Sequence, residues 1–494
     1  MTDEIQQMAA TEIVAAIRRR AVSAREVVQS HLDRIAAVNP AINAVVTLDA
    51  EAALAGAEAA DRLTASGAEL PLLHGLPMTH KDTHDVAGMR STQGSPIFAD
   101  HVPDADSPIV ARLKAAGVVS TGKTNVPEFA AGSHTFNPVF GTTTNPYDPT
   151  RSAGGSSGGV AAAIAAGIQS LGDGSDMGGS LRIPASFCNV VGFRPSYGVI
   201  PLPAAANDWA WLGRTGPMAR EVADIALFMQ AVAGPSERVL PPAPVAGTDF
   251  AGLFAGREGR DPGDLRGVRI GWSPDFGLGV PVQAEVLEVL RAQLHHFEDA
   301  GAIVEEATID FCGADLVFER TRATDFAANL GPLVDAHRSL IKPEVIWNVE
   351  LGLGLSAAEL IEATAARTRL AAAVRGFFSR HDLFLAPGAQ VLPFDATQRY
   401  PGAINGVEST SYLDWMRSAC LLSATGLPVV AMPAGFTAAG LPVGFQLAAN
   451  HYRDAGLLRH ARAFEDRTRC VDRRPDLAAG SGQATRPVVT VAAG

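Results

Sequence analysis

The chain has 494 residues, of which 47% are hydrophobic and 19% charged, a globular composition with enough apolar side chains for a large core. Its 40 basic and 52 acidic residues give a net charge of −12 without any block of Lys or Arg, which argues against nucleic-acid or anionic-membrane partners. With no basic leader, no run of about 18 apolar residues and four cysteines too scattered to form a CxxC pair, we expect a soluble, cytoplasmic protein without a metal site.

Residues 1–70 are predicted to form an N-terminal helical layer. Ser23 and Glu26 match the capping box S-x-x-E at the start of an amphipathic helix, which we expect to end before Asn39 and Pro40. An alanine-rich run, Ala50–Ala65, predicts a second helix that stops at Gly67.

The next region alternates strand and helix patterns. Leu76–Asp82 is a short apolar segment with Lys81 near its end, and Ser107 with Pro108 predicts the start of a helix that stops at Gly117. Val118–Thr121 then has the composition of a strand, and the alternation continues through Leu171. This order favours an α/β protein.

Two glycine- and serine-rich loops follow closely on one another. They are GGSSGG at Gly154–Gly159 and DMGGS at Asp176–Ser180, separated by the apolar segment Val160–Ile168. Glycine permits close approach of the backbone to a ligand, and a serine hydroxyl can attack a substrate or relay a proton. We interpret the two loops as parts of one site.

The remainder predicts further helices and strands up to a Pro/Gly/Ala-rich tail from Arg473. In order these are a helix Met218–Val232 after a GPMAR turn, a connection Gly234–Gly263, a strand Val268–Trp272, a helix Pro281–Ala300, helices over 310–380 interrupted at Leu351–Leu355, and strands at Leu383–Ala386, Leu427–Pro433 and Leu441–Ala448.

Two short motifs in the chain are misleading when taken alone. Gly117–Thr124 satisfies the P-loop pattern, but its first glycine follows a helix and the next residues have strand composition, so nucleotide binding is not favoured. The G-x-S-x-G pattern occurs around Ser156 and Ser157, yet a Ser-His-Asp hydrolase would leave Lys81 without a role, and the later histidines lack a distinguishing context.

Taken together, the motifs resemble the amidase signature family of serine hydrolases. The resemblance spans almost the whole chain and is densest from residue 75 to residue 235. The matching blocks are PMTHKD (Pro77–Asp82), GKTNVPEF (Gly122–Phe129), SAGGSSGGVAAAIAAG (Ser152–Gly167), SDMGGSLRIPASFCNVVGFRPSYG (Ser175–Gly198), GPMAR (Gly216–Arg220) and GLPVVAMPAGFTAAGLPVGFQL (Gly426–Leu447).

The resemblance implies an α/β/α sandwich with a large twisted mixed sheet covered by helices on both faces. Within one globular domain we expect an N-terminal layer (1–70), a catalytic core (71–235), a helical and loop part that shapes the pocket (236–420), closing strands and a helix (421–472) and a tail (473–494). The family acts without a metal or cofactor, and a monomer or homodimer is expected.

The resemblance also implies a Ser–Ser–Lys triad, with Ser180 as nucleophile, Ser156 as proton relay and Lys81 as base. It implies a cis peptide bond before Ser156. The family's oxyanion hole corresponds to the backbone N–H groups of Met177, Gly178, Gly179 and Ser180. Ser157, Asp176 and Arg182 are expected to support these groups.

Lys81 can accept a proton only if its surroundings lower its pKa. A lysine at its ordinary pKa of about 10.4 is almost fully protonated at neutral pH. Burial at the end of an apolar segment would lower that value, whereas Asp82 would raise it if the carboxylate were close. We therefore expect the Asp82 side chain to point away from Lys81.

The family hydrolyses many small amides and some carbamates, so the resemblance fixes the reaction more closely than the substrate. Met177 stands where the family usually has Thr or Ile, and with Phe129, Trp209 and Trp211 it is predicted to line the substrate pocket, favouring aryl or alkyl amides and aryl carbamates (urethanes). Acidic substrates are not expected, because no arginine cluster marks the pocket. The alternative is a glutamine-hydrolysing A-type subunit of an amidotransferase complex.

Overall fold

The structure is a computed structural model that describes residues 2–203, 206–237, 239–240, 243–244, 248–254 and 263–477. It has a mixed α/β architecture. The helices are α1 (Thr2–Gln7), α2 (Ala10–Arg18), α3 (Ala24–Ile42), α4 (Ala50–Ser66), α5 (Pro108–Ala115), α6 (Gly158–Ala165), α7 (Arg182–Cys188), α8 (Val222–Val232), α9 (Ala284–Asp299), α10 (Ala314–His337), α11 (Pro343–Leu353), α12 (Ala357–Phe378), α13 (Arg417–Thr425) and α14 (Asp454–Thr468). The strands are β1 (Val45–Leu48), β2 (Pro77–Lys81), β3 (Val119–Thr124), β4 (Phe136–Asn137), β5 (Gly141–Thr142), β6 (Thr144–Asn145), β7 (Asp148–Ser152), β8 (Leu171–Asp176), β9 (Val191–Arg194), β10 (Arg214–Ala219), β11 (Arg269–Trp272), β12 (Ile303–Glu306), β13 (Leu383–Pro387), β14 (Ala403–Ile404), β15 (Val407–Glu408), β16 (Val429–Phe436) and β17 (Pro442–Ala449).

An eight-stranded mixed sheet forms the centre of the molecule, in the order β12-β11-β13-β17-β16-β9-β10-β8. Strand β11 is parallel to both β12 and β13, and the other neighbouring strands are antiparallel. Strand β8, at one edge of this sheet, leads directly into the second of the two glycine- and serine-rich loops.

Side chains of the central strands alternate between two apolar cores, one on each face of the sheet. On β13, Leu383 and Leu385 belong to one core, whereas Phe384 and Ala386 belong to the other. The first core is completed by α8, α9 and α14, and the second by α6, α7, α12 and α13. Because successive strand residues point to opposite faces, a strand buried on both sides is apolar throughout.

A smaller three-stranded sheet, β1-β3-β2, carries Lys81 to the edge of the main sheet. Strands β2 and β3 are parallel, and β1 is antiparallel to β3. The two sheets are joined by a buried contact in which His80 Nδ1 of β2 lies 2.6 Å from Asp173 Oδ2 of β8. Lys81, the last residue of β2, therefore faces the loop that follows β8.

Most of the predicted elements are present, with two corrections. Helix α3 does not end before Asn39 and Pro40 but continues through Pro40 to Ile42. The first four residues of the GPMAR segment, Gly216 to Ala219, do not form a turn but belong to β10 and pair with β8, and the helix starts only at Val222. Much of the connection predicted over Gly234–Gly263, and the tail after residue 477, lie outside the described residues.

The P-loop match is excluded as a phosphate site by its geometry. Gly117 follows α5 with φ 95°, and Lys123 lies within β3 rather than at the start of a helix. Its ammonium group is buried against Ser91 Oγ (2.8 Å) and Asp82 Oδ1 (3.7 Å). Within the described part of the chain, no helix is long and apolar enough to cross a membrane.

Candidate active site

Lys81 is completely buried and surrounded by serine oxygens. Its Nζ lies 2.7 Å from Ser156 Oγ, 2.9 Å from Ser157 Oγ and 2.9 Å from Ser175 Oγ. Asp82, as expected, points elsewhere: its carboxylate accepts a hydrogen bond from the Thr92 hydroxyl and faces Lys123.

Burial lowers the pKa of Lys81 to about 7, because the charged ammonium loses its hydration. The negative charges of Asp176 and Asp173 act in the opposite direction but are outweighed. A substantial fraction of Lys81 is therefore neutral near pH 7 and able to accept a proton.

Asp173 fixes the backbone and the neighbours of Lys81. Its Oδ1 accepts the backbone N–H of Lys81 (2.7 Å), its Oδ2 contacts His80, and His84 Nδ1 lies 3.3 Å from Oδ1. Burial alone would raise the pKa of this carboxyl, but His80 and His84 outweigh it and hold the pKa below its ordinary range. Asp173 is thus an anion that positions the lysine without contacting its ammonium.

The first glycine- and serine-rich loop places Ser156 against the lysine. The Gly155–Ser156 peptide bond is cis, and α6 begins two residues later at Gly158. The backbone N–H of Ser157 donates to the carbonyl oxygen of Ser180 (3.2 Å), which ties the first loop to the second.

The second loop, from Asp176 to Ser180, is held by the carboxylate of Asp176. This side chain pairs with Arg182 through both oxygens (2.9 Å each) and lies 3.2 Å from Arg194 Nη1. Although burial raises the pKa of Asp176, the two arginines outweigh it and keep the pKa below its usual range. The carboxylate also accepts the backbone N–H of Gly179 (2.9 Å).

That last hydrogen bond refines the expected oxyanion hole. The Gly179 N–H is already engaged by Asp176. In the described part of the chain, the N–H groups of Met177, Gly178 and Ser180 have no such intramolecular acceptor. These three amides, rather than four, are available for a ligand at this loop.

Close packing behind the loop requires its two glycines. A Cβ on Gly178 would lie 2.8 Å from Phe318 Cζ, and one on Gly179 would lie 2.6 Å from Ala419 Cβ. Gly179 also has φ 104°, which side-chain-bearing residues rarely adopt. The loop backbone therefore rests directly on α10 and α13.

A cavity of about 250 Å³ opens onto both loops. Its wall includes the two serines predicted to be catalytic, Ser156 and Ser180, together with Ser175 and the backbone of the Asp176–Ser180 loop. The larger side chains in the wall are Phe129, Met177, Arg214, Arg322, Phe326 and Met416.

The structure places the predicted substrate-contacting residues in different environments. Phe129 and Met177 line the cavity. Among the described lining residues neither tryptophan occurs: Trp209 is 65% exposed, and Trp211 lies under the guanidinium of Arg367 at 3.6 Å. The two tryptophans are therefore not brought to the cavity wall in this structure.

Three participants were absent from the sequence prediction. Ser175 was inside a matching block but carried no assigned role, and Asp173 lies in the same strand. Arg322 is on α10, in the part of the chain with the weakest motifs. From sequence, only Asp173 could have been indicated, because the alternating side-chain directions along β8 turn it towards β2.

Among the described residues, metal-ligand side chains do not cluster at the cavity. Within the described residues, the group of three that could hold an ion is His295, His296 and Asp299, on the surface of α9. None of these three residues lines the cavity.

The fold and this site define a hydrolase of carboxylic amides. Residues 26–458 match the amidase family, and the chain belongs to it, as an amidase signature enzyme that cleaves a C–N bond.

Individual relatives point in two directions. An acylamidase of Rhodococcus erythropolis is 35% identical, covering 96% of this chain and 98% of the relative. The A-type subunit of the glutamyl-tRNA(Gln) amidotransferase from Cupriavidus metallidurans is 34% identical, covering 94% and 97%. The crystal structure of a bacterial aryl acylamidase of the same family superimposes with a TM-score of 0.88 at 28% identity, covering 96% of this chain and 99% of that one.

Proposed function

We propose that the protein is a stand-alone acylamidase that hydrolyses small aryl or alkyl amides, and aryl carbamates as related substrates. Ser180 is the nucleophile, Ser156 the proton relay and Lys81 the base. The observation that carries the proposal is the buried Lys81 Nζ, 2.7 Å from Ser156 Oγ, with a pKa of about 7.

The proton path follows from this arrangement. Neutral Lys81 takes a proton from Ser156, which takes one from Ser180 as the Ser180 oxygen attacks the carbonyl carbon. The N–H groups of Met177, Gly178 and Ser180 stabilise the negative oxygen of the tetrahedral intermediate. The proton then returns through Ser156 to the amine nitrogen, the C–N bond breaks, and an acyl group remains on Ser180.

Water releases the acyl group by the same path. The hydroxyl of Ser156 accepts a proton from the attacking water and passes one to Lys81. The proton then returns through Ser156 to the Ser180 oxygen as the acyl C–O bond breaks, which releases the carboxylic acid and regenerates Ser180 and neutral Lys81. Ser157 Oγ and Ser175 Oγ each lie 2.9 Å from Lys81 Nζ and hold it in place.

Cavity size and lining support a small, partly aromatic substrate. The volume of about 250 Å³ lies just under the roughly 300–1,000 Å³ usual for small-molecule sites. Phe129, Phe326, Met177 and Met416 supply apolar walls that suit an aryl ring. The structural likeness to an aryl acylamidase supports the same choice.

Hydrolysis of glutamine within an amidotransferase complex is the second candidate, favoured by the A-type relatives from amidotransferases. Free glutamine carries an ammonium group that needs a carboxylate partner in a closed site. Among the described residues that line the cavity, Asp176 is the only acidic one, and two arginines already neutralise it. This argues for the stand-alone acylamidase.

A hydrolysis panel tests the proposal. The purified chain is assayed with a short aliphatic amide, an anilide, an aryl carbamate and glutamine. We expect anilide hydrolysis without a partner, and a loss of at least about 10⁴-fold in kcat in Ser180→Ala and in Lys81→Ala.

Matched controls are Ser66→Ala and Lys114→Ala, which make the same changes on the surface and should retain activity. Glutaminase activity that requires a reconstituted complex, with no anilide hydrolysis, would favour the second candidate. Near-normal kcat in Lys81→Ala at neutral pH would overturn the mechanism.

A further inference from the structure

Arg322 is a buried cation in the cavity wall. It projects from α10, is 4% exposed, and lines the same cavity as Ser156 and Ser180. Within the described residues, no carboxylate oxygen lies within 4.0 Å of its guanidinium. A buried arginine without an anionic partner is costly unless a ligand supplies one.

Neutral groups hold this guanidinium in a fixed orientation. Nη2 donates to Tyr412 OH (2.7 Å), Nε donates to Asn348 Oδ1 (3.2 Å), and Phe326 covers one face with its ring centroid 4.2 Å away. Nη1 contacts only Met177 Sδ, at 3.2 Å, a weak acceptor.

The remaining N–H donors of Arg322 are therefore available to a ligand. A guanidinium has five N–H groups. The four contacts with oxygen and sulfur, two of which share the Nε–H, occupy three of these groups and leave two without an acceptor among the described residues. The rigid fork matches the two oxygens of a carboxylate. Asp325, one turn further along α10, accepts a hydrogen bond from Asn207 Nδ2 (3.4 Å); the charge of Arg322 lowers its pKa, but the two groups lie beyond the 4.0 Å of an ion pair.

The charges in the cavity wall also favour an anionic ligand. Of the charged residues in the wall, Asp176 is neutralised by Arg182 and Arg194, and Arg214 donates to the carbonyl oxygens of Trp211 and Gly213. What remains is a positive cavity in which neither Arg214 nor Arg322 has a carboxylate partner among the described residues, and Arg322 is the one that contacts Met177 of the Asp176–Ser180 loop.

We propose that Arg322 is a specificity-determining residue that binds a carboxylate of the substrate, so that the preferred substrates are small amides that carry a carboxylate away from the scissile bond and, unlike glutamine, no ammonium group. This rests on the proposed acylamidase function and names its substrate class. It reverses the expectation that acidic substrates are disfavoured, because α10 brings to the site an arginine that no motif marks.

Two pairs of substrates test the proposal, one with the carboxylate on the acyl part of the amide and one with it on the amine part. The first pair is the mono-para-nitroanilide of glutaric acid and its uncharged analogue, in which an isopropyl group replaces the carboxylate. The second pair is para-acetamidobenzoate and para-isopropylacetanilide. We expect the wild-type protein to prefer the carboxylate member of at least one pair by about 10-fold or more in kcat/KM.

Arg322→Gln should lower kcat/KM for that carboxylate substrate about 10- to 100-fold, chiefly through KM, and change the uncharged analogue by less than about threefold. Arg322→Lys keeps the positive charge but loses the forked pair of N–H donors. Its kcat/KM for the carboxylate substrate should lie between those of the wild type and Arg322→Gln. The matched control is Arg320→Gln on the same helix, whose arginine pairs with Glu359 (3.3 Å) and should show wild-type discrimination.

Two results would overturn the proposal while leaving the acylamidase function intact. One is a wild-type preference for the uncharged member of both pairs. This result needs only the wild-type protein, so it would overturn the proposal even if Arg322→Gln does not fold. The other is an equal loss for both members of a pair, which would mean that Arg322 only supports the loop through Met177. Failure to hydrolyse any of the four compounds, with no labelling of Ser180 by a fluorophosphonate, would instead overturn the proposed function itself.

Discussion

At the scale of single residues, the site depends on a lysine kept in surroundings where its charged form is costly. Three serine hydroxyls within 2.9 Å satisfy Nζ without supplying a negative charge. The two nearby carboxylates, Asp173 and Asp176, are each engaged by other partners. This combination of hydrogen bonding and missing counter-charge is how a lysine becomes a base near neutral pH.

The pH dependence of the reaction should report this lysine. Because only neutral Lys81 accepts a proton, kcat/KM for an uncharged anilide should rise with pH and level off above an apparent pKa of about 7. Asp173→Asn removes a negative charge that raises the lysine pKa, so its profile should shift to lower pH. The measurement is kcat/KM from pH 5 to pH 10 for both proteins.

The same shift has a consequence for stability, with a sign fixed by linkage. The folded-state pKa of Lys81 lies below its unfolded value, so the unfolded state binds more protons between about pH 7 and pH 10.5 and stability gains from this group as pH rises. The cost of burying the charge is fully present below pH 7. A rising limb of the kcat/KM profile near pH 10 instead of pH 7 would contradict the lowered pKa of Lys81.

At the scale of elements, the loop Asp176–Ser180, which we propose to form the oxyanion hole, is positioned by the helices on which it lies. Asp176 closes the loop on itself, and Gly178 and Gly179 let its backbone contact α10 and α13 directly. The conformation of Gly178 itself is one that any residue could adopt, since its φ is not positive. What excludes a side chain there is crowding, chiefly by Phe318 Cζ at 2.8 Å and to a smaller extent by Cys420 Sγ at 3.3 Å.

Gly178→Ala should therefore impair catalysis through crowding. The new Cβ would meet Phe318 Cζ at 2.8 Å, and Phe318 is buried in a helix that cannot easily yield, so the loop must move. Misplacing one oxyanion donor should lower kcat by about 100-fold with a small effect on KM. Steady-state kinetics on the anilide measure both.

Two further variants separate crowding from a general glycine effect. Gly178→Ala combined with Phe318→Leu should regain part of the lost kcat, because the shorter side chain makes room. Gly376→Ala, on α12 with open space around the new Cβ, should keep wild-type kcat. An unchanged kcat in Gly178→Ala would show that this amide does not hold the oxyanion.

Elements were predictable from sequence where one local signal determined them. The capping box at Ser23 and Glu26 and the αL glycine at Gly67 marked helix ends correctly. Pro40 was misleading, because α3 tolerates a proline near its last turn. The GPMAR segment was misread as a turn because its strand character comes from pairing with β8, a long-range contact that no local pattern shows.

At the scale of the whole molecule, the site is assembled from parts that are distant in the sequence. Family motifs implied the two loops and Lys81, and the structure brings these into contact. Arg322 comes from the least motif-rich region, so its place in the wall was not predictable. Conversely, Trp209 and Trp211 follow the catalytic stretch in sequence without lining the cavity.

The core on one face of the central sheet allows a last prediction: a substitution there should lower the stability of the fold without lowering kcat. Phe384 on β13 is fully buried and packs against Phe276, Phe311 and Phe377 at ring-centroid distances of 5.6–5.9 Å. Phe384→Ala should lower the free energy of unfolding by about 3–5 kcal/mol, because the surrounding aromatic rings cannot fill the space left by the removed side chain.

Urea unfolding followed by fluorescence measures that loss of stability. The kcat per active site, with Ser180 titrated by a fluorophosphonate, should stay within about twofold of wild type, because Phe384 does not line the active-site cavity. Ile361→Ala, a truncation at a side chain that is 69% exposed, is the surface control and should shift stability by no more than about 0.5 kcal/mol. A large fall in kcat per titrated site would show that the packing of this core also sets the geometry of the catalytic loops.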